Sequence, residues 1–205
     1  MNSQNKILPL LAISITLLIS LGCSGFSISF NTVEVGDTQT ISRIIERENA
    51  EKARVDINMG SGKLLIDSLV APAAGARALM EGDFTFNVAE WKPEVNYEAR
   101  DGEGRLTIRQ PKTGEFSFGK DVRYIWDLRF AEEIPMRMYI DLGAGAGDID
   151  LGKLNVTRLD MKSGAGDVRL DLGGNDSLEY LEFDMGTGSL NLDLTGDWEE
   201  DVDVI

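Results

Sequence analysis

The 205-residue chain has no histidine and a single cysteine, Cys23. Without histidine it lacks the commonest general base and the commonest transition-metal ligand. With one cysteine it cannot form an internal disulfide, so no staple framework holds it. Basic residues are scarce: 20 Lys and Arg stand against 35 Asp and Glu, a net charge of −15. That balance argues against nucleic acid as a partner and against a polybasic membrane patch. Aromatics make up 7% of the chain, and no nucleophile-elbow string occurs.

A long apolar run occurs at the N-terminus, MNSQNKILPLLAISITLLISLGC. Lys6 provides a short positive region, Ile7 to Leu21 is apolar, and small residues follow at Gly22, Cys23 and Ser24. A run of about 15 residues suits a signal peptide, whereas a spanning helix wants about 20; an uncleaved anchor helix is the alternative. Residues 1–22 therefore read as a signal peptide. Cys23, directly after it, reads as a lipidation site that ties the rest to membrane lipid, since several acyl chains give stable anchoring. Ser20 stands where lipoproteins usually carry an aliphatic residue, so export is the firmer expectation and lipidation the finer one. Removing residues 1–22 takes away one lysine and no acid, which moves the net charge from −15 to −16. Anionic headgroups repel such a body, which gives a covalent anchor a physical purpose. The mature chain is expected outside the cytoplasm, at the bacterial membrane or cell surface.

Residues 23–52 read as the lipidated cysteine and a tether, with a short strand at Val33–Asp37 and a helical turn or more in Ile41–Lys52 (ISRIIERENAEK). From Val55 the pattern becomes period-two alternation broken by glycine, the signature of strands. Four segments share a Gly-x-Gly pair: VDINMGSGKLLID (55–67), IDLGAGAGDIDLG (140–152), LDMKSGAGDVRLD (159–171) and LEFDMGTGSLNLD (181–193). Aligned on Gly60, Gly145, Gly164 and Gly186, they share apolar positions five and three before the glycine and four and six after it. Each repeat thus reads as strand, bend, strand with one apolar face. A single such unit cannot bury that face, so stacking is the stable solution. The expected fold is all-β, a parallel β-helix-like solenoid over residues 53–205 with roughly 20 residues per coil.

Within it, 53–137 read as wider early coils and 138–205 as the glycine-rich repeats. The early part offers strands at Ala78–Val88, Glu94–Ala99, Arg105–Gln110 and Val122–Phe130, with a hairpin at Asp101–Gly104. Asp201 to Ile205 looks like the first strand of another repeat. The array is therefore expected to run on past Ile205, or to be covered there by a cap, a partner or another copy, because an open last rung presents strand edges.

On INMGSGKLLI, on FTFN, WKPEVNYEA and GRLTIRQ within 84–110, and on IDLGAGAGDIDLGKL with LDMKSGAGDVRLDLGG, the chain resembles the toast-rack family of glycine-rich bacterial envelope domains. These are described as adhesins and are related to the C-terminal domains of regulators of the cell-wall-antibiotic response. The resemblance runs from Val55 to the end and implies a right-handed β-helix-like fold outside the cytoplasm. It brings no catalytic residues.

The repeat alignment makes Asp141 and Asp160 neighbours, and likewise Asp148 and Asp167. Like charges that close attract a cation, and hard oxygen ligands suit Ca²⁺. The stronger reading is a solvated acidic strand face partly neutralised by Lys162 and Arg169, since Ca²⁺ sites need six or more oxygens; no cofactor is expected. GAGAGDIDL fails as a nonapeptide Ca²⁺ repeat on period. The glycine pairs fail as phosphate loops because they lead into strands and not helices. A polysaccharide-lyase role for Arg123, Arg129 and Arg137 would be fold analogy alone. Trp91, Tyr97, Phe116, Phe118, Tyr124 and Trp126 gather in the centre, as core filling or as a glycan- or protein-binding face. The expected function is that of a non-enzymatic, membrane-anchored envelope protein with a structural or interaction module, adhesin-like or sensory. The alternative is a carbohydrate-binding or metal-dependent carbohydrate-active β-helix protein.

Overall fold

In the sequence-predicted strands every second residue is apolar, and the computed structural model shows where those residues go. It describes residues 34–69, 77–111, 121–175 and 177–196, and the backbone of 203–204. The strands are β1 (Gln39–Glu46), β2 (Lys52–Ser68), β3 (Ala78–Phe86), β4 (Glu94–Arg100), β5 (Glu103–Arg109), β6 (Tyr124–Phe130), β7 (Met136–Asp150), β8 (Val156–Asp171), β9 (Tyr180–Asp193) and β10 (Asp203–Val204). Among the described residues the one helical piece is a 3₁₀ turn at Ala89–Trp91, and no helix is long and apolar enough to cross a membrane.

All strands belong to one sheet in the order β1-β3-β6-β2-β7-β8-β9-β10, with β5 also on β2 and β4 on β5. From β6 to β10 every pairing is parallel. The long strand β2 organises the sheet. On one edge it carries β7 along most of its length. On the other, β5 takes Lys52–Asn58 and β6 takes Lys63–Ser68. The changeover falls at Gly60-Ser61-Gly62, so the sheet has two arms that meet at the glycine pair.

Burial shows why. In β2 the buried apolar residues are Ala53, Val55, Ile57 and Met59 before the bend, then Leu64 and Ile66 after it. The phase moves from odd to even, as an extra residue in a strand requires. Gly62, at φ +146, absorbs it in a region that favours glycine. Chain reach confirms a sharp fold-back. β7 and β8 run in register from Met136↔Val156 to Asp150↔Asp171, yet only residues 151–155 join them. A straight 15-residue strand would be about 50 Å long, while five residues reach about 20 Å.

The inward rows of both arms form one core with Trp126, Phe84, Trp91 and Tyr124. These rings meet edge-on or tilted at centroid distances of 5.5–5.7 Å. Core filling is thus the position of Trp91, Tyr124 and Trp126, all buried. Tyr97 is partly buried and donates its hydroxyl to the Arg47 carbonyl.

Three local expectations need correction. Ile41–Lys52 is not helical: β1 lies antiparallel on β3, with Ile41 and Ile45 packed inward and Ile44 61% exposed. Of the strand expected at Val33–Asp37, the described residues Glu34–Asp37 form none. The stretch read as wide coils holds antiparallel pairs, β3 with β6 and β4 with β5. The β4–β5 hairpin turns at Asp101-Gly102, both with positive φ (52° and 76°), the conformation a two-residue hairpin favours. All described residues lie in one compact unit, Val33–Ile205.

Candidate functional site

The surface that the sequence singled out is the outward face of β2, β7, β8 and β9. Its register differs from the sequence alignment at one strand. The bends that stack are Gly62↔Gly145↔Gly166↔Gly188, so the pair in β7 is Gly143-Ala144-Gly145. Alignment on Gly145-Ala146-Gly147 slips that strand by two residues, which leaves its inward face unchanged. Asp141 consequently stands opposite Lys162, and Asp160 opposite Tyr139; Asp148 stands opposite Arg169, and Asp167 opposite Ala146. The two expected acid pairs are not formed. Among the described residues no group of three His, Cys, Asp or Glu is placed to hold a metal ion.

What the register builds instead is a ladder of arginine, carboxylate and tyrosine. The Arg54 fork donates to both Asp56 oxygens at 2.8 and 2.7 Å, and its guanidinium lies 3.9 Å from the Tyr139 ring centroid on the next strand. Two strands on, the pattern returns: Arg158 donates to Asp160 at 2.6 and 3.2 Å and lies 3.7 Å over Tyr180. The Tyr180 hydroxyl donates to Glu182 at 2.9 Å, and Arg137 reaches Glu103 at 2.9 Å. Planar, bidentate donors make this arrangement one for arginine and not lysine. Asp160 faces Glu182 across the strands. Burial pushes the Asp160 carboxyl up, but the Arg158 hydrogen bonds and charge bring it below its ordinary value.

The strand ends carry a second set of acids that the sequence reading passed over. Asp150 accepts from the Gly152 amide at 3.0 Å, Asp171 from Gly173 at 3.0 Å, and Asp193 from Thr195 at 2.9 Å. Each is a side-chain turn that closes its strand. The signal was present as Asp-Leu-Gly at 150–152 and 171–173 and Asp-Leu-Thr at 193–195. Asp67, Asp127, Asp148, Asp150 and Asp171, with Arg169, line a surface cavity of about 280 Å³ on these arms. A second hollow of about 350 Å³ lies at the bend, between Ser61-Gly62-Lys63, Trp91, Val122–Ile125 and Ala144-Gly145. Arg129 and Arg137, considered for a lyase, are held in ion pairs with Asp83 and Glu103 at 2.8 and 2.9 Å; Arg123 is exposed. Cys23, Phe116 and Phe118 lie outside the described residues.

With bent strands, glycine columns and register in place, the family follows. Residues 31–179 match the model for the N-terminal domain of toast_rack, DUF2154. The chain belongs to the toast-rack family. A similar protein of known structure, a candidate cell adhesion protein from Clostridium sporogenes ATCC 15579, is 32% identical, with a TM-score of 0.66 over 77% of this chain and 73% of that one. Weaker structural matches are a candidate lipid binding protein from Parabacteroides distasonis ATCC 8503 and a candidate adhesin from Bacteroides fragilis NCTC 9343. The first is 11% identical with a TM-score of 0.28, over 77% of this chain and 74% of that one. The second is 8% identical with a TM-score of 0.26, over 77% and 95%. No curated protein matches the chain.

Proposed function

We propose that this toast-rack protein is a non-enzymatic, membrane-anchored module of the bacterial envelope. Its glycine repeats stack as coils of a β-solenoid and present a surface for an envelope protein or a glycan. The observation that carries this reading is the 32% identity to a candidate cell adhesion protein over about three quarters of both chains. The outward ladder supports a binding role. Arg54 and Arg158 are held by Asp56 and Asp160 and lie over the rings of Tyr139 and Tyr180, so the ladder offers a patterned surface at little reorganisation cost, whereas catalysis needs an acid or base held out of such pairing. Cys23 supplies the anchor, and the excess of acids means that no other visible feature would hold the body at an anionic membrane. Growth with labelled palmitate tests the anchor. The wild type should carry label and sediment with membranes, and Cys23→Ser should do neither. An unlabelled wild type with its signal segment intact would sink the lipoprotein reading.

A further inference from the structure

Along one edge of β2 the neighbouring strand changes, and the change leaves a gap. β5 ends opposite Asn58 and β6 begins opposite Lys63, so among the described residues no strand covers Met59–Gly62 on that edge. The hollow of about 350 Å³ at the bend lies there, at the small end of the range for small-molecule sites, about 300–1,000 Å³.

Two buried amide side chains hold its walls. Gln110 donates its backbone N–H to the Asn58 carbonyl at 2.8 Å, and its side chain accepts from the Ser61 N–H at 3.0 Å. Asn87 accepts from the Arg123 N–H at 2.8 Å and donates to the Asp121 carbonyl at 2.6 Å. Both are buried, so the bend and the entry to β6 are fixed before any ligand arrives. The remaining wall, Ala144-Gly145, has no long side chain to fill the space.

The groups around the hollow differ in kind. Lys63 and Arg123 are exposed and share one face, since Lys63 pairs with Ile125 and Arg123 stands two residues before it. That offset between neighbouring strands separates their Cα atoms by about 8 Å, within reach of a single carboxylate. Neither is in an ion pair among the described residues, although acids outnumber bases 35 to 20 in the chain. Val122 and Ile125, both partly buried, supply apolar wall. Tyr124 lines the same space, and its buried hydroxyl makes no well-formed hydrogen bond among the described residues. The rings packed on it, Trp91 and Trp126, carry indole N–H groups that can only donate, so the phenol proton finds no acceptor on them. Burial pushes the Tyr124 hydroxyl up against an opposing pull from Trp126, which keeps that proton in place at neutral pH.

We propose that this hollow binds an acidic sugar, a hexuronate unit of an envelope glycan. The carboxylate lies between Lys63 and Arg123, a sugar oxygen accepts from Tyr124, and the C–H face of the ring lies against Val122 and Ile125. A neutral sugar leaves the two cations unused, and an acid without hydroxyls leaves the phenol proton unused. The inference deepens the interaction-module reading by naming the glycan chemistry, and it rests on that reading.

The test is an NMR titration of the isotope-labelled 205-residue chain with glucuronate, glucose and cyclohexanecarboxylate, the last having ring and charge but no hydroxyl. Glucuronate should shift the Gly62, Lys63 and Arg123 amides saturably, and the other two should bind about tenfold more weakly. A Lys63→Gln, Arg123→Gln chain should lose about tenfold in glucuronate affinity with an unchanged melt. Tyr124→Phe should abolish the preference for glucuronate over cyclohexanecarboxylate without lowering Tm. Absence of a saturable shift, glucose binding as tightly as glucuronate, or a double variant that binds unchanged would overturn the site. Equal binding of cyclohexanecarboxylate would overturn the sugar assignment. The three probes on the wild-type chain decide the matter however the variants fold. A protein that takes palmitate and sediments with membranes yet fails here loses this site and keeps the anchored-module reading, so the two failures are separable.

Discussion

Gly147 and Gly166 look alike in the sequence but sit in different surroundings. Gly166 has a φ of +133, and a side chain there would overlap the Gly145 carbonyl oxygen. Gly147 is buried in an inward row, where a Cβ would find Ile149, Leu142 and Val168 at 3.5 Å, ordinary contact distance. Gly166→Ala should therefore cost more than about 3 kcal/mol, combining a glycine-only backbone conformation with a backbone clash. Gly147→Ala should be neutral or stabilise by about 0.5 kcal/mol. Urea melts of the two variants check this, and equal losses would contradict the register. At Asp160 the folded-state carboxyl titrates below its ordinary value, burial being outweighed by the Arg158 fork. Its stabilising contribution is then present above the unfolded carboxylate pKa, about 3.9, and disappears as pH falls through the lower folded value. Asp160→Asn should lose less stability than wild type between neutral pH and that acid range, measured by melts across pH. A larger loss in the variant would overturn the assignment.

At the scale of elements, the turns that end the strands couple one rung to the next. Buried Asn175 donates to the carbonyls of Leu151 and Leu154, 3.0 and 2.9 Å away in the preceding turn. Asn175→Ala strands both acceptors, so a loss of about 2–3 kcal/mol is expected, read from the denaturation midpoint. A loss under about 0.5 kcal/mol would mean that water or a rearranged turn replaces the amide. Strand existence and inward face were legible throughout β2, β7, β8 and β9, because alternation reports the face directly. Exact register was not. In β7 three glycines fall at alternate positions, 143, 145 and 147, and a two-residue slip keeps every side chain on its face. Spacing held a clue, since Gly143, Gly164 and Gly186 lie 21 and 22 residues apart, more even than the alignment through Gly145. In β1, Ile41, Ile44 and Ile45 stand at helical spacing, but the apolar pattern of Ile41–Lys52 is weak. Pairing with β3 overrides that local signal and leaves Ile44 exposed.

For the whole molecule, the excess of 35 acids over 20 bases should make the body self-repelling. Its melting temperature should rise with NaCl through the physiological range as screening sets in. At matched ionic strength CaCl₂ should add nothing further, because the acids that the repeat alignment placed together face Lys162, Arg169, Tyr139 and Ala146 instead. A concentration-dependent rise specific to Ca²⁺ would reveal a bound ion. The candidate surface was only half legible for the same reason that the register was. The residue types on the outward face could be read off, but which arginine meets which tyrosine depends on a pairing across strands that alternation cannot report.

Bent strands stack in parallel at Gly62, Gly145, Gly166 and Gly188, and paired cysteines test that stacking directly. In a Cys23→Ser background, Asp141→Cys with Lys162→Cys places two thiols on directly opposed residues. Those Cα atoms are about 5 Å apart, within disulfide range. Asp141→Cys with Asp160→Cys adds a two-residue offset of about 6.6 Å along the strand and moves the pair beyond about 7 Å. Mild oxidation should close the first pair and leave the second reduced; closure of the second with the first left open would contradict the stacking described here.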